Sequence, residues 1–230
     1  MGKKLIIKGA DFSANCIGKD EYNRLLWVMS NSTNQHFELP TKVSANKRIE
    51  IDFSVPQSLL DLDPTETVRH HTCGSVGDTA DIFIAFFKYS TNPSGMPNNN
   101  MICGFCIAND KYAGKITDTN MHTVSICRNS IQLDNNTAID ISSDNSSLDN
   151  SETATKNLWC MGCNAATGGQ SSDIHIHGIR VYSDYTDNGT IEINAFPVKK
   201  TSNNKVYMYE SVNGIYIPTS DGNDPLYSTL

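Results

Sequence analysis

Positive charge is scarce in this chain. Its 230 residues hold 18 Lys and Arg against 25 Asp and Glu, a formal net charge of −7, and only 19% of positions are charged. Binding to a phosphate backbone is dominated by clustered Lys and Arg, so no nucleic-acid partner is expected. Long apolar runs are missing as well. No stretch approaches the roughly 18 consecutive apolar residues of a membrane-spanning helix, and no membrane insertion is expected. After Met1, Gly2, Lys3 and Lys4 the run Leu5-Ile6-Ile7 stops at Lys8. That is too short for the core of a secretory signal, so no signal peptide is seen. The N-x-S/T triplets at Asn31, Asn135, Asn145 and Asn188 are accordingly read as chance in an Asn-rich chain. No long segment has a 3.6-residue apolar period, which excludes a helical bundle. G-x-S-x-G, P-loop and Rossmann glycine patterns are also absent, which removes several common signatures of hydrolases and nucleotide enzymes.

What is present is β-type sequence. Apolar residues make up 38% of the chain, enough to bury a core. In 47–55, KRIEIDFSV, Ile49, Ile51, Phe53 and Val55 share one face while Glu50, Asp52 and Ser54 share the other. In 81–89, DIFIAFFKY, both faces are apolar, as in a central strand covered on both sides. Further strands are expected over Met101–Ala108, His122–Cys127 and Leu158–Cys163, with a hairpin of Ile131–Leu133 and Ala138–Ile141 around Asn135-Asn136. Leu25–Met29 reads as a strand or short helix, with Pro40 closing that section; Leu59–Pro64 reads as a connection with a turn of helix. Thr91–Asn100, Ser142–Thr155 and Asn164–Ser172 read as loops, and His70-His71 as a loop pair. About a dozen short strands separated by turn signals predict an all-β chain folded as a two-sheet antiparallel sandwich. A chain of this length fits one domain, 1–230, with an N-terminal strand segment over about 1–30.

The stretch Ile174–Thr219 is the most informative. Asn188-Gly189 and Asn213-Gly214 sit between short β-type runs, a hairpin signal because a type I′ turn needs φ > 0 at both central residues. Ile174 and Ile176 lie on even positions, whereas Ile179 and Val181 lie on odd ones. A glycine at this slip of phase, Gly178, predicts a β-bulge. The order R-V-Y, D-N-G, F-P-V, K-K-T-S-N-N-K, V-Y-M-Y-E-S-V-N-G-I-Y resembles the closing strands of concanavalin A-like (laminin-G-like) jelly-roll domains. The subgroup it is most similar to occurs in phage fibre and virion proteins and in surface proteins of Bacteroides-type gut bacteria. The opening KKLIIKGADFSANCIG also looks like the start of such proteins. The resemblance implies a jelly-roll sandwich of the concanavalin A-like type.

Four groups of residues are candidates for chemistry. Seven cysteines include Cys103-x-x-Cys106 and Cys160-x-x-Cys163, the spacing of zinc knuckles. Their setting is strand-like, and positions i and i+3 of a strand point to opposite faces, although Gly104 and Gly162 keep a tight turn open. They are read as small buried hydrophobes, ahead of zinc and of disulfides. The odd total and the lack of a signal fit a reducing compartment of synthesis. No cofactor is expected. His175 and His177 share a strand face, where they can chelate or simply point outward beside the bulge. Glu50-x-Asp52-x-Ser54 is similar to the E-x-D-x-E strand of some concanavalin-like glycosidases, whose retaining chemistry needs two carboxyls about 5 Å apart. Ser54 stands where the general acid belongs, so Glu50 and Asp52 are read as solvated outward residues. The last group is on loops: Asn99, Asn100, Asn164 and Gln170, with Tyr89 or Trp159 as a flat aromatic, could form a lectin-type site.

By resemblance, the expected function is non-catalytic. The protein would be a virion or bacterial cell-surface component whose lectin-like module binds a bacterial surface glycan or docks to other virion proteins. A purely structural virion role and an endo-glycanase are the alternatives. A homo-oligomer is expected, because Lys and charge that blunt sheet edges are few and weak lectin sites act in clusters.

Overall fold

The computed structural model describes residues 22–32, 35–62, 68–75, 82–88, 100–105, 108–149, 151, 153–163, 170–171, 173–186 and 188–230. The expected strand Leu5–Ile7 lies outside them. In chain order the strands are β1 (Tyr22–Met29), β2 (Phe37–Ser44), β3 (Arg48–Ser54), β4 (Val68–Ser75), β5 (Ile82–Lys88), β6 (Asn100–Phe105), β7 (Ala108–Lys115), β8 (His122–Cys127) and β9 (Ser130–Leu133). They continue with β10 (Ile139–Asp140), β11 (Thr153–Cys160), β12 (Gly162–Cys163), β13 (Gln170–Ser171), β14 (His175–Tyr182), β15 (Ile191–Lys200), β16 (Val206–Glu210), β17 (Ile215–Ile217) and β18 (Leu226–Thr229). One turn of helix, Gln57–Leu60, follows β3.

A ten-stranded sheet has the order β10-β9-β8-β3-β14-β1-β15-β16-β17, with β18 also paired to β1. A six-stranded sheet has the order β2-β11-β4-β5-β6-β7. All pairings are antiparallel. The chain crosses between sheets after β1, β2, β3, β7, β10 and β11, and the two inner faces meet in a shared core. This is an antiparallel two-sheet sandwich of jelly-roll class. Ile49, Ile51 and Phe53 of β3, Val124 and Ile126 of β8, and Ile179 and Val181 of β14 come from the large sheet. Cys73, Ile82, Ile84, Phe86, Met101 and Phe105 come from the small one. In β5 the consecutive residues Ile82 to Phe86 are all buried, as its two apolar faces predict.

The edges are blunted. β10 and β17 at the ends of the large sheet have two and three residues. On the small sheet β2 carries Pro40 within the strand rather than after it, which an edge strand tolerates. Its other edge, β7, carries Lys111 and Lys115.

Several local expectations change. Of the two readings for Leu25–Met29 the strand holds, within β1, but His70-His71 lies in β4 rather than in a loop. Neither Asn-Gly pair forms a type I′ turn. β14 and β15 are joined by Ser183–Thr190, closed by Ser183 N–H donating to Thr190 O at 2.9 Å. Gly189 serves there by close approach: a Cβ would lie 2.6 Å from the Asp184 carbonyl oxygen. Between β16 and β17 only Gly214 takes a positive φ, 71°. That four-residue turn is held by the fully buried Glu210 carboxylate. Its Oε1 accepts from the Val212 and Asn194 amides at 2.7 and 3.2 Å. Its Oε2 accepts from the Asn213 amide and side chain at 2.8 and 2.9 Å. A side chain just before the turn decides its shape, which dipeptide statistics cannot anticipate.

Candidate functional site

The outer face of the large sheet is the candidate site. Alternation along β3 sends Glu50, Asp52 and Ser54 to it. On β14 the expected bulge is present: Ile176 faces Phe53, but Gly178 already faces Asp52. The extra residue moves the outward set from odd to even positions, so His175 and His177 share the face with Arg180 and Tyr182. A second irregularity in β1, between Leu25 and Trp27, turns Trp27 outward while Leu25 and Val28 stay in the core.

Arg180 is the centre of a fixed ionic network. Its Nη1 and Nη2 donate to the two oxygens of Asp52 at 2.6 and 2.9 Å, and its Nε donates to Glu50 Oε2 at 3.0 Å. Tyr182 Oη donates to the same Glu50 oxygen at 2.8 Å, and Thr123 Oγ1 donates to Asp52 Oδ1 at 2.7 Å. The Arg48 guanidinium lies 4.1 Å over the Tyr182 ring, with its Nε 3.6 Å from Glu50 Oε1. Glu50 and Asp52 are therefore not solvated outward residues: 20% and 16% of their side chains are exposed, and both are bound to an arginine that sequence places 130 and 128 positions away. Burial works against the Arg180 charge, but the bonds to Asp52 and Glu50 outweigh it and raise the pKa further. The Tyr182 phenol is also raised, by burial and then by Glu50.

Beside this network lies an aromatic and imidazole cluster. Ser54 Oγ is shared between His177 Nε2 at 3.0 Å and His175 Nδ1 at 3.4 Å. Trp27 stacks on the His175 ring at 3.8 Å and 7°. Burial, and then the neighbouring His177, push His175 down to about 4. His177 is lowered by burial, against a hydrogen bond to the Leu26 carbonyl and the charge of Asp52. Both rings are neutral at pH 7, so each offers one N–H donor and one nitrogen acceptor rather than charge.

Across β1, β15, β16 and β17 the same face is aromatic. Tyr22 and Tyr209 have ring centroids 4.9 Å apart, as do Tyr209 and Tyr216, and Tyr207 meets Tyr216 at 5.6 Å. Phe196 lies beneath Tyr22 and Tyr209, at 6.2 and 5.8 Å. Arg24 lies 4.3 Å over Phe196 and Lys200 Nζ 4.4 Å over Tyr216. The four tyrosines remain half-buried, with ring surface open to solvent. Alternation in V-Y-M-Y-E held the signal for Tyr207 and Tyr209, because Val206 and Met208 face inward.

No protein-family model and no curated protein matches the chain. The site is thus read from its own geometry.

The loop residues expected to bind are not brought to this face by anything described. Tyr89, Asn99 and Asn164 lie outside the described residues. Asn100 and Gln170 lie in β6 and β13, with side chains outside them. Trp159 is in β11, its ring stacked on His36 at 3.3 Å and 10°. Cys73, Cys103, Cys127, Cys160 and Cys163 are buried; Cys106 lies outside the described residues. Among the described residues, no group of three or more His, Cys, Asp or Glu is arranged to hold a metal ion.

Proposed function

We propose that this protein is a non-catalytic, lectin-like module of a virion or bacterial cell-surface component, and that it binds a bacterial surface glycan on the outer face of the ten-stranded sheet. The observation that carries this reading is the run Tyr22, Tyr209, Tyr216 and Tyr207 beside the Glu50–Asp52–Arg180 network. Sugars present apolar C–H faces, which rest on aromatic rings, and hydroxyls, which need rigid donors and acceptors. Here the rings are locked by mutual packing, and the polar groups are held by one another, so little side-chain entropy is lost on binding. Covering about 80 Å² of apolar surface gives roughly 2 kcal/mol, a weak site. Useful adhesion then needs linked copies, on a particle or in a homo-oligomer. Since the described sheet edges are short or carry Pro and Lys, an oligomer would be built from faces rather than by edge pairing.

Hydrolysis is not part of the proposal. Glu50 and Asp52 are committed to Arg180, and position 54 supplies a hydroxyl held by two imidazoles where a glycosidase of this strand pattern needs its third carboxyl.

The test is a glycan array probed with antibody-clustered protein. Retention on a defined set of bacterial glycans is expected, lost by at least tenfold in Tyr209→Ala and Tyr216→Ala variants that keep the wild-type circular dichroism. Absence of any retained glycan, or equal retention by both variants, would refute the reading. Release of reducing ends from a retained glycan, abolished by Glu50→Gln, would replace it with an endo-glycanase.

A further inference from the structure

We infer that Cys73 and Cys160 are a disulfide-forming pair that staples β4 to β11 when the protein meets a low-mass disulfide oxidant. The inference does not rest on the glycan reading.

The register decides the pairing. Cys73 and Cys160 are directly opposed in the antiparallel ladder of β4 and β11. The next bond along runs from Met161 N–H to Thr72 O at 2.7 Å. A bond joining the residues that flank an opposed pair marks that pair as the non-hydrogen-bonded kind, whose Cα atoms lie about 4.5 Å apart with side chains close on one face. That spacing falls inside the range a disulfide accepts, about 4.4–6.8 Å. Both side chains point into the core, with no exposed surface.

The other described thiols are excluded by the same geometry. Cys103 is on the same row of the inner face, but both it and Cys73 face Ile84, so β5 lies between them. Two strand spacings put them about 9.5 Å apart. Cys163 is the C-x-x-C mate of Cys160, yet its Sγ sits 2.6 Å from where a Gly74 Cβ would be. Gly74 follows Cys73 in the strand and faces the opposite way, so Cys163 lies across the sheet from the pair. Cys127 is in β8 of the other sheet, 3.6 Å from Ser130 Oγ.

The reaction is an ordinary exchange. One thiolate attacks oxidised glutathione and releases one glutathione thiol. The second cysteine attacks the mixed disulfide and releases the other. Two protons and two electrons leave the protein, and one disulfide of the oxidant becomes two thiols. Burial pushes Cys160 up to about 12 and Cys73 well above its usual value, the latter helped by the neighbouring thiols. In the closed core neither thiolate is populated, so the bridge forms while the chain folds or opens, not by attack on the native surface. Once made it joins residues 73 and 160, so it closes a long loop of the unfolded chain.

The experiment is refolding of reduced, denatured full-length protein in a buffer of oxidised and reduced glutathione. Free thiols are then blocked with N-ethylmaleimide, and non-reduced peptides are mapped by mass spectrometry. A linked pair of peptides carrying Cys73 and Cys160, 2 Da lighter than the two reduced peptides, is expected. The oxidised form should melt roughly 6–12 °C above the reduced form, a shift absent in Cys73→Ser and in Cys160→Ser. The mapping on unmodified protein does not depend on either variant folding. Maleimide on both Cys73 and Cys160, or a bridge from either to any other cysteine, would overturn the assignment.

Discussion

Replacing Arg180 by Ala should be among the most damaging single changes on the sheet surface, and its cost can be worked out. The variant removes three charge-assisted bonds, two to Asp52 and one to Glu50. Asp52 keeps Thr123 Oγ1, and Glu50 keeps Tyr182 Oη and the more distant Arg48 Nε. Two carboxylates two positions apart on one strand face lie about 6.7 Å from each other. Unscreened by the guanidinium, they repel by about 2.5 kcal/mol at an effective dielectric of 20 and about 0.6 in water. With 16–20% of each side chain exposed, the true value lies between these limits. Adding about 1.5 kcal/mol for the net loss of the bonds gives a destabilisation of roughly 3 kcal/mol. For a chain of this size that is a fall in Tm of roughly 6–12 °C. Urea unfolding of wild type and Arg180→Ala measures it. The same substitution made together with Glu50→Gln and Asp52→Asn isolates the charge: relative to that carboxamide background, loss of Arg180 should cost less than half as much. A loss below 1 kcal/mol, or an equal loss in both backgrounds, would refute the account.

Two further predictions follow from the buried groups. Glu210→Gln puts an NH₂ against two donors whichever way the amide turns, because each carboxylate oxygen accepts two bonds; a loss of about 2–3 kcal/mol is expected in thermal or urea unfolding, and an unchanged Tm would show that the 210–215 turn does not depend on that carboxylate. His175, pushed down to about 4 in the fold, binds fewer protons folded than unfolded between that value and its ordinary 6.5. Its contribution to stability is therefore intact above pH 6.5, falls as pH drops from 6.5 to about 4, and levels off below. Fluorescence of Trp27 read in a Trp159→Phe background should titrate with a midpoint near 4, because the stacked ring gains its charge there; a midpoint near 6.5 would contradict the burial.

Much of this was legible from residue order, and the limits are physical. The period of two in 47–55 was enough to place Ile49, Ile51 and Phe53 in the core and Glu50 and Asp52 outside it. The slip of phase at Gly178 located the bulge, and with it the shared face of His175, His177, Arg180 and Tyr182. What these outward residues do to one another was not legible. A carboxylate on an outer face looks solvated until the partner from another strand is known, and Arg180 arrives through β14, far along the chain. The Asn-Gly pairs misled because backbone preference at two positions is weaker than a buried carboxylate or a close carbonyl approach. The aromatic face was missed for a related reason: Tyr22, Phe196, Tyr209 and Tyr216 belong to four strands, and only the sheet order sets them side by side.

That sheet order also imposes a schedule. β1 is the first strand described, yet its partners are β14, β15 and β18, none of which begins before residue 175. At the usual pace of synthesis, about 5–20 residues per second, Tyr22–Met29 waits roughly 8–30 s before any strand it pairs with has been made. The small sheet can close during that interval, since β4 through β7 pair in sequence. The face bearing Trp27 and the tyrosines cannot. It comes into being only once β14 to β18 have been made, so a nascent chain that has not passed residue 175 presents an apolar, unpaired β1 in place of a finished surface.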